Sequence, residues 1–386
     1  MTCTTFIPFS PPNIGEEEID EVLDTLRSNW ITTGPKTKIF EADFAAYLRA
    51  PEALAVNSCT AALHTALTAL GIGPGDEVIS TPMTFCSTIN VIEHVGAHPV
   101  LVDIEPDTLN IDPAKITAAI TSKTRVILPV HFAGHPVELD TIEALAKSAN
   151  ITVLEDAAHA LPAKYKGRLI GSGDNPVAFS FYATKNLTTG EGGMLTGAKD
   201  FLRPARTISL HGMNHDAWKR YDKDCSWFYE IDLPGFKYNM TDIQASLGIW
   251  QLKKLHAFHS RRKAIAQRYT QAFSTIDALE TPAERPKVDH AWHLYVLRLR
   301  LEQLTICRAQ FIEELTKRDI GSSVHFIPIH VHPYYRNKYN YLPDDFPVAF
   351  SNYQRIISLP LNTRLSDDEV ERVIEAVADI VVRYSK

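Results

Sequence analysis

From residue 53 to residue 196, short apolar runs alternate with segments of helical periodicity. Runs at 53–56, 77–80, 99–103, 125–130, 152–155, 177–181 and 193–196 have the length and bounding residues of buried strands. The stretches 60–70, 86–95 and 139–149 between them repeat their apolar positions every three or four residues, which predicts helices. Gly73-Pro74-Gly75-Asp76 is a turn between the first of these helices and the next strand. Strands alternating with helices predict an α/β doubly wound layer structure with a mostly parallel sheet. A long helix is expected over about 241–273, followed by the polar, Pro-containing segment 281–289. The tail supplies strands near 294–299 and 323–326, then a closing helix over 366–384. Ser366 and Glu369 form a capping box at its start. A domain change is expected near 251–259, dividing the chain into a large domain, 1–250, and a smaller C-terminal α/β domain, 251–386.

The composition fits that picture and removes several classes of function. Of 386 residues, 45% are hydrophobic and 22% charged, as in a soluble protein large enough for two cores. Thirty-nine Lys and Arg against 46 Asp and Glu give a formal charge of −7, and basic runs are missing. Nucleic acid and anionic membrane are therefore not expected partners. Cys3, Cys59, Cys86, Cys225 and Cys307 are scattered without a Cys-x-x-Cys pair, which fits a reducing cytoplasm. No apolar run approaches the roughly 18 residues of a membrane span, and the first residues lack the pattern of a secretory signal.

In open α/β sheets, ligands bind beyond the carboxyl ends of the strands, so polar residues that follow apolar runs are the first candidates. Val56-Asn57-Ser58-Cys59-Thr60 ends a strand in small polar residues at the start of a helix. Free amides and the helix dipole there suit a phosphate, although a plain N-cap reads the same way. Leu154-Glu155-Asp156-Ala157-Ala158-His159 delivers a carboxylate and then an imidazole. A buried carboxylate beside the ring nitrogen of pyridoxal phosphate keeps that nitrogen protonated, and Asp156 is suited to the task; capping the next helix is its alternative. Lys185, in Phe179-Ser180-Phe181-Tyr182-Ala183-Thr184-Lys185-Asn186, lies among small and apolar residues before a glycine-rich turn. Desolvation there would free its amine to form an imine. Asn239 precedes the long helix, with Thr241 as that helix's candidate cap.

The segments VNSCTAALHTAL, VLEDAAHA, FSFYATKNLTTGEGGM and GFKYNMTDIQASLG, with SNWITTGP near the N-terminus, resemble the DegT/DnrJ/EryC1/StrS family of sugar aminotransferases. The likeness runs from about residue 6 to the C-terminus, with the motifs in the family's order. It implies the type I fold of pyridoxal-phosphate enzymes and a homodimer with active sites at the subunit interface. It also implies that Lys185 is the Schiff-base lysine, Asp156 the pyridine-nitrogen partner and His159 the imidazole beside the ring's phenolic oxygen. Thr60 and Ser180, with Cys59 in the same cradle, match the phosphate site. Asn239 matches the residue that reaches the partner's phosphate, and Phe85 the aromatic stacked on the ring, with core packing as its alternative.

The reaction implied is transfer of an amino group from glutamate to a nucleotide-linked keto sugar, with 2-oxoglutarate released. Within the family, ALGIGPGDEVI, PVHFAG and YKGRLIG are most similar to members acting at C4 of a UDP-linked keto sugar. Tyr182 stands where those members would carry His. Thr33, Gly34, His325 and Tyr335 are the expected substrate contacts. Family members that dehydrate sugars have His at the lysine position, whereas this chain has Lys185. A non-catalytic protein on the same fold would be expected to lose Lys185 or Asp156. A metal site on His131/His135 or His211/His215 has the i, i+4 spacing but lacks the Glu of His-Glu-x-x-His. A nicotinamide site lacks its Gly-x-Gly-x-x-Gly.

Overall fold

A computed structural model describes residues 5–213 and 229–386. His215 and Cys225 lie outside the described residues. The strands are β1 (Glu52–Val56), β2 (Glu77–Ser80), β3 (His98–Leu101), β4 (Thr124–Ile127), β5 and β6 (Thr152–Val153 and Glu155–Asp156), β7 and β8 (Lys164–Tyr165 and Arg168–Leu169), β9 (Val177–Ser180) and β10 (Gly193–Gly197). In the C-terminal part they are β11 (Leu279–Glu280), β12 (Val288–Asp289), β13 (Tyr295–Leu299) and β14 (Ile356–Leu359).

One set pairs in the order β1-β10-β9-β6 and another in the order β3-β2-β4-β5. Leu154 donates its amide to Ile127, and Val130 bridges to Asp156, so β5 and β6 are successive parts of one strand that joins the two sets. Pairing is parallel throughout except around β10, which runs antiparallel to both β1 and β9. That reversal brings the start of β10 to the edge where β1, β6 and β9 end.

Side chains alternate across a strand, and in this sheet both faces are covered. Ala53 and Ala55 enter one core with Phe40, Phe44, Phe179 and Ile249, while Leu54 and Val56 enter another with Ala62, Leu63, Ile89 and Leu202. Burial on both faces explains why the strands read as unbroken apolar runs. The run expected to extend to Val130 ends as a strand at Ile127, because Pro129 has no N–H to continue the ladder. The run expected to reach Asp103 ends at Leu101; the Asp103 carboxylate instead accepts the amides of Ile104, Val348 and Ala349.

The Asp242–Phe273 helix begins at a Thr241/Gln244 capping box and passes between two cores. Ala245, Ile249, Leu252 and Leu255 pack with the large sheet. Ile265, Ala266, Tyr269 and Phe273 pack with β13, β14 and the Arg308–Thr316 and Asp367–Tyr384 helices. We propose the boundary between domains 1–250 and 251–386 at this passage, with Ile7, which sits in the second core, as an exception in the first segment. The second core covers the antiparallel sheet β11-β13-β14. Ser366 and Glu369 close the capping box of the last helix in both directions. Residues 323–326 were expected as a strand; only Ser323 pairs, once, with Ser358, and the partner of β13 is β14. No helix among the described residues is long and apolar enough to cross a membrane.

Candidate active site

The carboxyl ends of β1, β6 and β9 and the start of β10 surround a cleft of about 510 Å³. At the end of β1, Ser58 is the N-cap of the Cys59–Ala69 helix, and its Oγ accepts the Ala61 amide at 3.0 Å. The hydroxyl's own proton faces Asn57 Oδ1 at 3.4 Å. The amides of Cys59 and Thr60, in the first turn, have no partner within the helix and open toward the cleft with its positive dipole end. β10 crosses this turn at close range: a Cβ on Gly193 would lie 2.5 Å from the Ser58 carbonyl oxygen and 2.6 Å from the Cys59 nitrogen. Only glycine permits that approach.

Asp156 ends β6, buried on the cleft floor. Its Oδ1 accepts the Ala158 amide at 3.0 Å and its Oδ2 the Thr88 hydroxyl at 2.8 Å. Burial raises its pKa above the ordinary carboxylate value, against the lowering effect of these two bonds and of nearby Lys185 and His131. Lys185 follows β9 in a turn in which its amide donates to the Tyr182 carbonyl. Although its side chain retains some exposure, its ammonium is desolvated to a pKa of about 8, with Cys59 and Asp156 only partly opposing the shift. The Cys59 thiol is held well above its usual range, first by burial and then by the Asp156 charge. His159 is held neutral by burial and by the charges of Lys185 and His325, and among the described residues its Nδ1 has no hydrogen-bond partner.

Of the residues singled out from the sequence, Cys59, Thr60, Phe85, Asp156, His159, Ser180, Lys185 and His325 come together around this cleft. Phe85 is 58% exposed, so its ring faces the opening rather than a core. Tyr182 lies on the rim. Thr33, Gly34 and Asn239 gather elsewhere. Asn239 Nδ2 donates to Thr33 Oγ1 at 2.6 Å, and the amide of Gly34 donates to Asp242 Oδ1 at 2.8 Å. A Cβ on Gly34 would overlap the Trp30 indole.

Tyr335 is not brought to the cleft either. It is 4% exposed, its hydroxyl donates to Asn90, and it packs in the core beside the Cys86–His94 helix, away from the cleft. Thr88, His293 and Phe326 border the cleft floor and wall without having been singled out. Thr88 reaches Asp156 across the sheet, a contact for which the local sequence carries no signal. His131 is also spoken for: its Nε2 meets Glu155 Oε2 at 2.9 Å and its Nδ1 accepts the Val137 amide. His135 bonds Pro136 and Arg285. Among the described residues no group of three His, Cys, Asp or Glu could hold a metal ion.

A desolvated amine, a buried carboxylate, an orphaned imidazole nitrogen and unpaired helix amides fit the aldehyde, ring nitrogen, ring oxygen and phosphate of pyridoxal phosphate. A family model for the DegT/DnrJ/EryC1/StrS aminotransferase family matches residues 12–378. The spore coat polysaccharide biosynthesis protein SpsC of Bacillus subtilis (strain 168) is 53% identical over 378 residues, which cover 97% of each chain. The putative sugar aminotransferase Spr1654 of Streptococcus pneumoniae, in its PMP-form, is 40% identical with a TM-score of 0.91, over 98% of this chain and 99% of that one. Its PLP-form is 39% identical with a TM-score of 0.90 and the same coverage. The fold is therefore the type I fold of pyridoxal-phosphate enzymes, the cofactor is pyridoxal 5′-phosphate, and the chain belongs to the DegT/DnrJ/EryC1/StrS family of sugar aminotransferases.

Proposed function

We propose that the enzyme moves an amino group from glutamate to a nucleotide-linked keto sugar, at C4 of a UDP-4-keto sugar, and works as a cytoplasmic homodimer. The observation that carries the reading is Lys185, an amine with a pKa of about 8 that shares a cleft with a buried carboxylate. The name of SpsC, a polysaccharide biosynthesis protein, supports a sugar destined for a glycan. Pyridoxal phosphate, when bound, supplies the electron sink that makes the donor's α-proton acidic. Lys185 Nζ takes that proton and later returns one to the sugar carbon; an amine of pKa near 8 is matched to both directions. Asp156 keeps the ring nitrogen protonated, His159 stands beside the ring oxygen, and Phe85 covers one ring face. The amides of Cys59 and Thr60 and the Ser180 hydroxyl hold the phosphate, while His325, on the cleft wall, meets the substrate.

Two features support the dimer. Ile19, Leu23 and Leu26 are exposed along one stripe of the Glu16–Arg27 helix, and Ile31 and Ile39, further along the chain, are exposed as well. Asn239, Thr33 and Gly34 do not border the cleft of their own chain, and in the proposed dimer they complete the partner's site.

The test is an absorption spectrum of purified protein before and after glutamate, with Lys185→Ala alongside, followed by a panel of keto-sugar nucleotides. A lysine-dependent band that converts with glutamate, and turnover with UDP-4-keto sugars above other acceptors, is the expected result. Absence of a lysine-dependent band in the loaded protein overturns the assignment of Lys185. Preference for another nucleotide or another position overturns the substrate.

A further inference from the structure

Beside His159, the fold has built a hydrogen-bonded chain that the reaction as described does not use. Asn186, next to Lys185 and buried, donates through Nδ2 to the carbonyls of Leu161 and Ala291, at 2.9 and 2.8 Å. Carbonyls only accept, so these two bonds settle which amide atom is nitrogen, and Oδ1 is left to accept. What it accepts is the Nδ1–H of His293, at 3.3 Å. That fixes His293 as the Nδ1–H tautomer and turns an unprotonated Nε2 to the other side of the ring. The His293 ring lies 4.4 Å from that of His159, centroid to centroid and tilted by 40°, and both rings border the cleft.

The backbone of His293 is clamped as firmly as its ring. Its amide donates to Ala133, and the Ala291 amide donates to Gly134. Gly134, at φ +101°, fits only because it has no side chain: a Cβ would stand 2.8 Å from the His159 carbonyl oxygen and 2.9 Å from the Ala291 Cβ. From the small-domain side, Arg262 Nη1 donates to the carbonyls of Trp292, His293 and Leu361. Arg262 is 4% exposed, and among the described residues no carboxylate pairs with it. One buried cation thus ties the His293 turn to the strand end after β14.

We propose that His293 is a positioning residue of the active site: Asn186 fixes its tautomer, Arg262 and Gly134 fix its backbone, and its ring sets the orientation of His159. The inference deepens the reading of His159 as the neighbour of the cofactor ring and rests on it. Its electrostatics point the same way. Burial first, and then the charges of His159, Lys185, Arg262 and His325, keep His293 from taking a second proton. A neutral His293 whose Nε2 can only accept does not compete with His159 for donation to the ring oxygen. Because Asn186 adjoins Lys185, the arrangement also couples the setting of His159 to the turn that carries the amine.

Histidine nitrogen resonances of the ¹⁵N-labelled protein test this without cofactor, and the pH titration of the lysine-dependent absorption band tests it with cofactor. In the wild type, His293 is expected in the Nδ1–H form. In His293→Phe, which keeps the ring and loses both nitrogens, and in His293→Asn, which keeps the bond to Asn186 and loses the ring, the His159 resonances shift. The absorption band titrates at a different pH in both variants, and the glutamate half-reaction slows about tenfold, the worth of the one hydrogen bond that a misoriented His159 would fail to make to the ring oxygen. A His293 in the opposite tautomer, or His159 resonances unmoved in both variants, overturns the proposal. If the nitrogen signals behave as expected while the absorption band does not move, it is the placement of His159 beside the ring that fails.

Discussion

The Thr88 hydroxyl donates to Asp156 Oδ2 at 2.8 Å, joining the helix after β2 to the end of β6 beneath the cleft floor. Since that hydroxyl has one proton, the 2.7 Å contact with Thr84 must have Thr84 as the donor, so the carboxylate is reached by a relay of two threonines. Thr88→Val removes a bond to the charged form of Asp156, and its pKa moves further above the ordinary carboxylate value. The acid limb of kcat/KM for glutamate should move to higher pH, and the rate at neutral pH should fall about tenfold. Thr88→Ser should restore both. A pH profile identical to wild type in Thr88→Val would refute the relay.

Gly193 admits the first turn of the Cys59–Ala69 helix at a distance no Cβ tolerates, and the atoms it would meet are backbone. Gly193→Ala should therefore cost roughly 1–3 kcal/mol of stability, the usual range for overpacking. It should also weaken cofactor binding, because the displaced amides are those of Cys59 and Thr60. Thermal melts and a pyridoxal-phosphate titration would check the two effects, and a fall in one alone would separate packing from phosphate binding.

The pKa of Lys185 gives a prediction for the cofactor-free protein. In the unfolded chain this amine titrates near 10.5, and in the folded one at about 8. Between those values the unfolded state binds the proton and the folded state does not, so stability rises with pH across that window. Below pH 8 the desolvated ammonium is a standing cost of about 3.5 kcal/mol, from 2.5 pK units at about 1.4 kcal/mol each. Lys185→Met should accordingly be the more stable protein at pH 7, with its advantage fading toward pH 10.5. Denaturant midpoints of the two proteins at several pH values decide it; a pH-independent difference would mean that the amine is not desolvated.

Why some of this was legible in the sequence and some was not follows from where the determinants sit. Strands buried on both faces leave unbroken apolar runs, and the residues after them are read in place, so Asp156, Lys185 and the Cys59–Thr60 turn could be found one strand end at a time. The direction of β10 could not, because its reversal depends on pairing with β1 and β9 rather than on its own residues. β14 is only four residues long and carries no stronger signal than the apolar stretch at 323–326, where only Ser323 pairs. Thr88 and His293 lie far along the chain from the groups they touch, and no period or motif records such contacts. Thr33 and Asn239 are 206 residues apart in the chain; only the fold places them side by side and outside the cleft of their own chain.

Tyr335 offers a contrast with the cleft residues. Its hydroxyl serves Asn90 inside the large-domain core, and the helix that carries it, Pro333–Tyr339, is also pinned to Glu93 by Lys338 and Tyr339. Tyr335→Phe should lower stability by about 1 kcal/mol through the lost bond while leaving kcat/KM for the sugar within twofold. Phe85→Ala should do the reverse, since a ring this exposed contributes little to folding. A large rise in sugar KM for Tyr335→Phe would return that residue to the substrate site.

The interface prediction joins the apolar stripe to the residues left outside the cleft. Ile19, Leu23 and Leu26 recur at spacings of four and three residues on the Glu16–Arg27 helix, which places them on one exposed face. Leu23→Glu together with Leu26→Glu would bring four like charges into the proposed twofold contact and should convert the proposed dimer to monomers in sedimentation or size-exclusion measurements. The same double variant should bind pyridoxal phosphate less tightly, because in the proposed dimer each site would lose the partner's Asn239. Asn239→Ala should weaken cofactor binding with the dimer intact, so the two variants distinguish loss of assembly from loss of the contact. Mixed dimers of Asn239→Ala and Lys185→Ala chains complete the argument. If Asn239 serves the partner's site, one site in each mixed dimer has both residues intact and the mixture recovers activity; if it serves its own site, every site lacks one of the two and none returns.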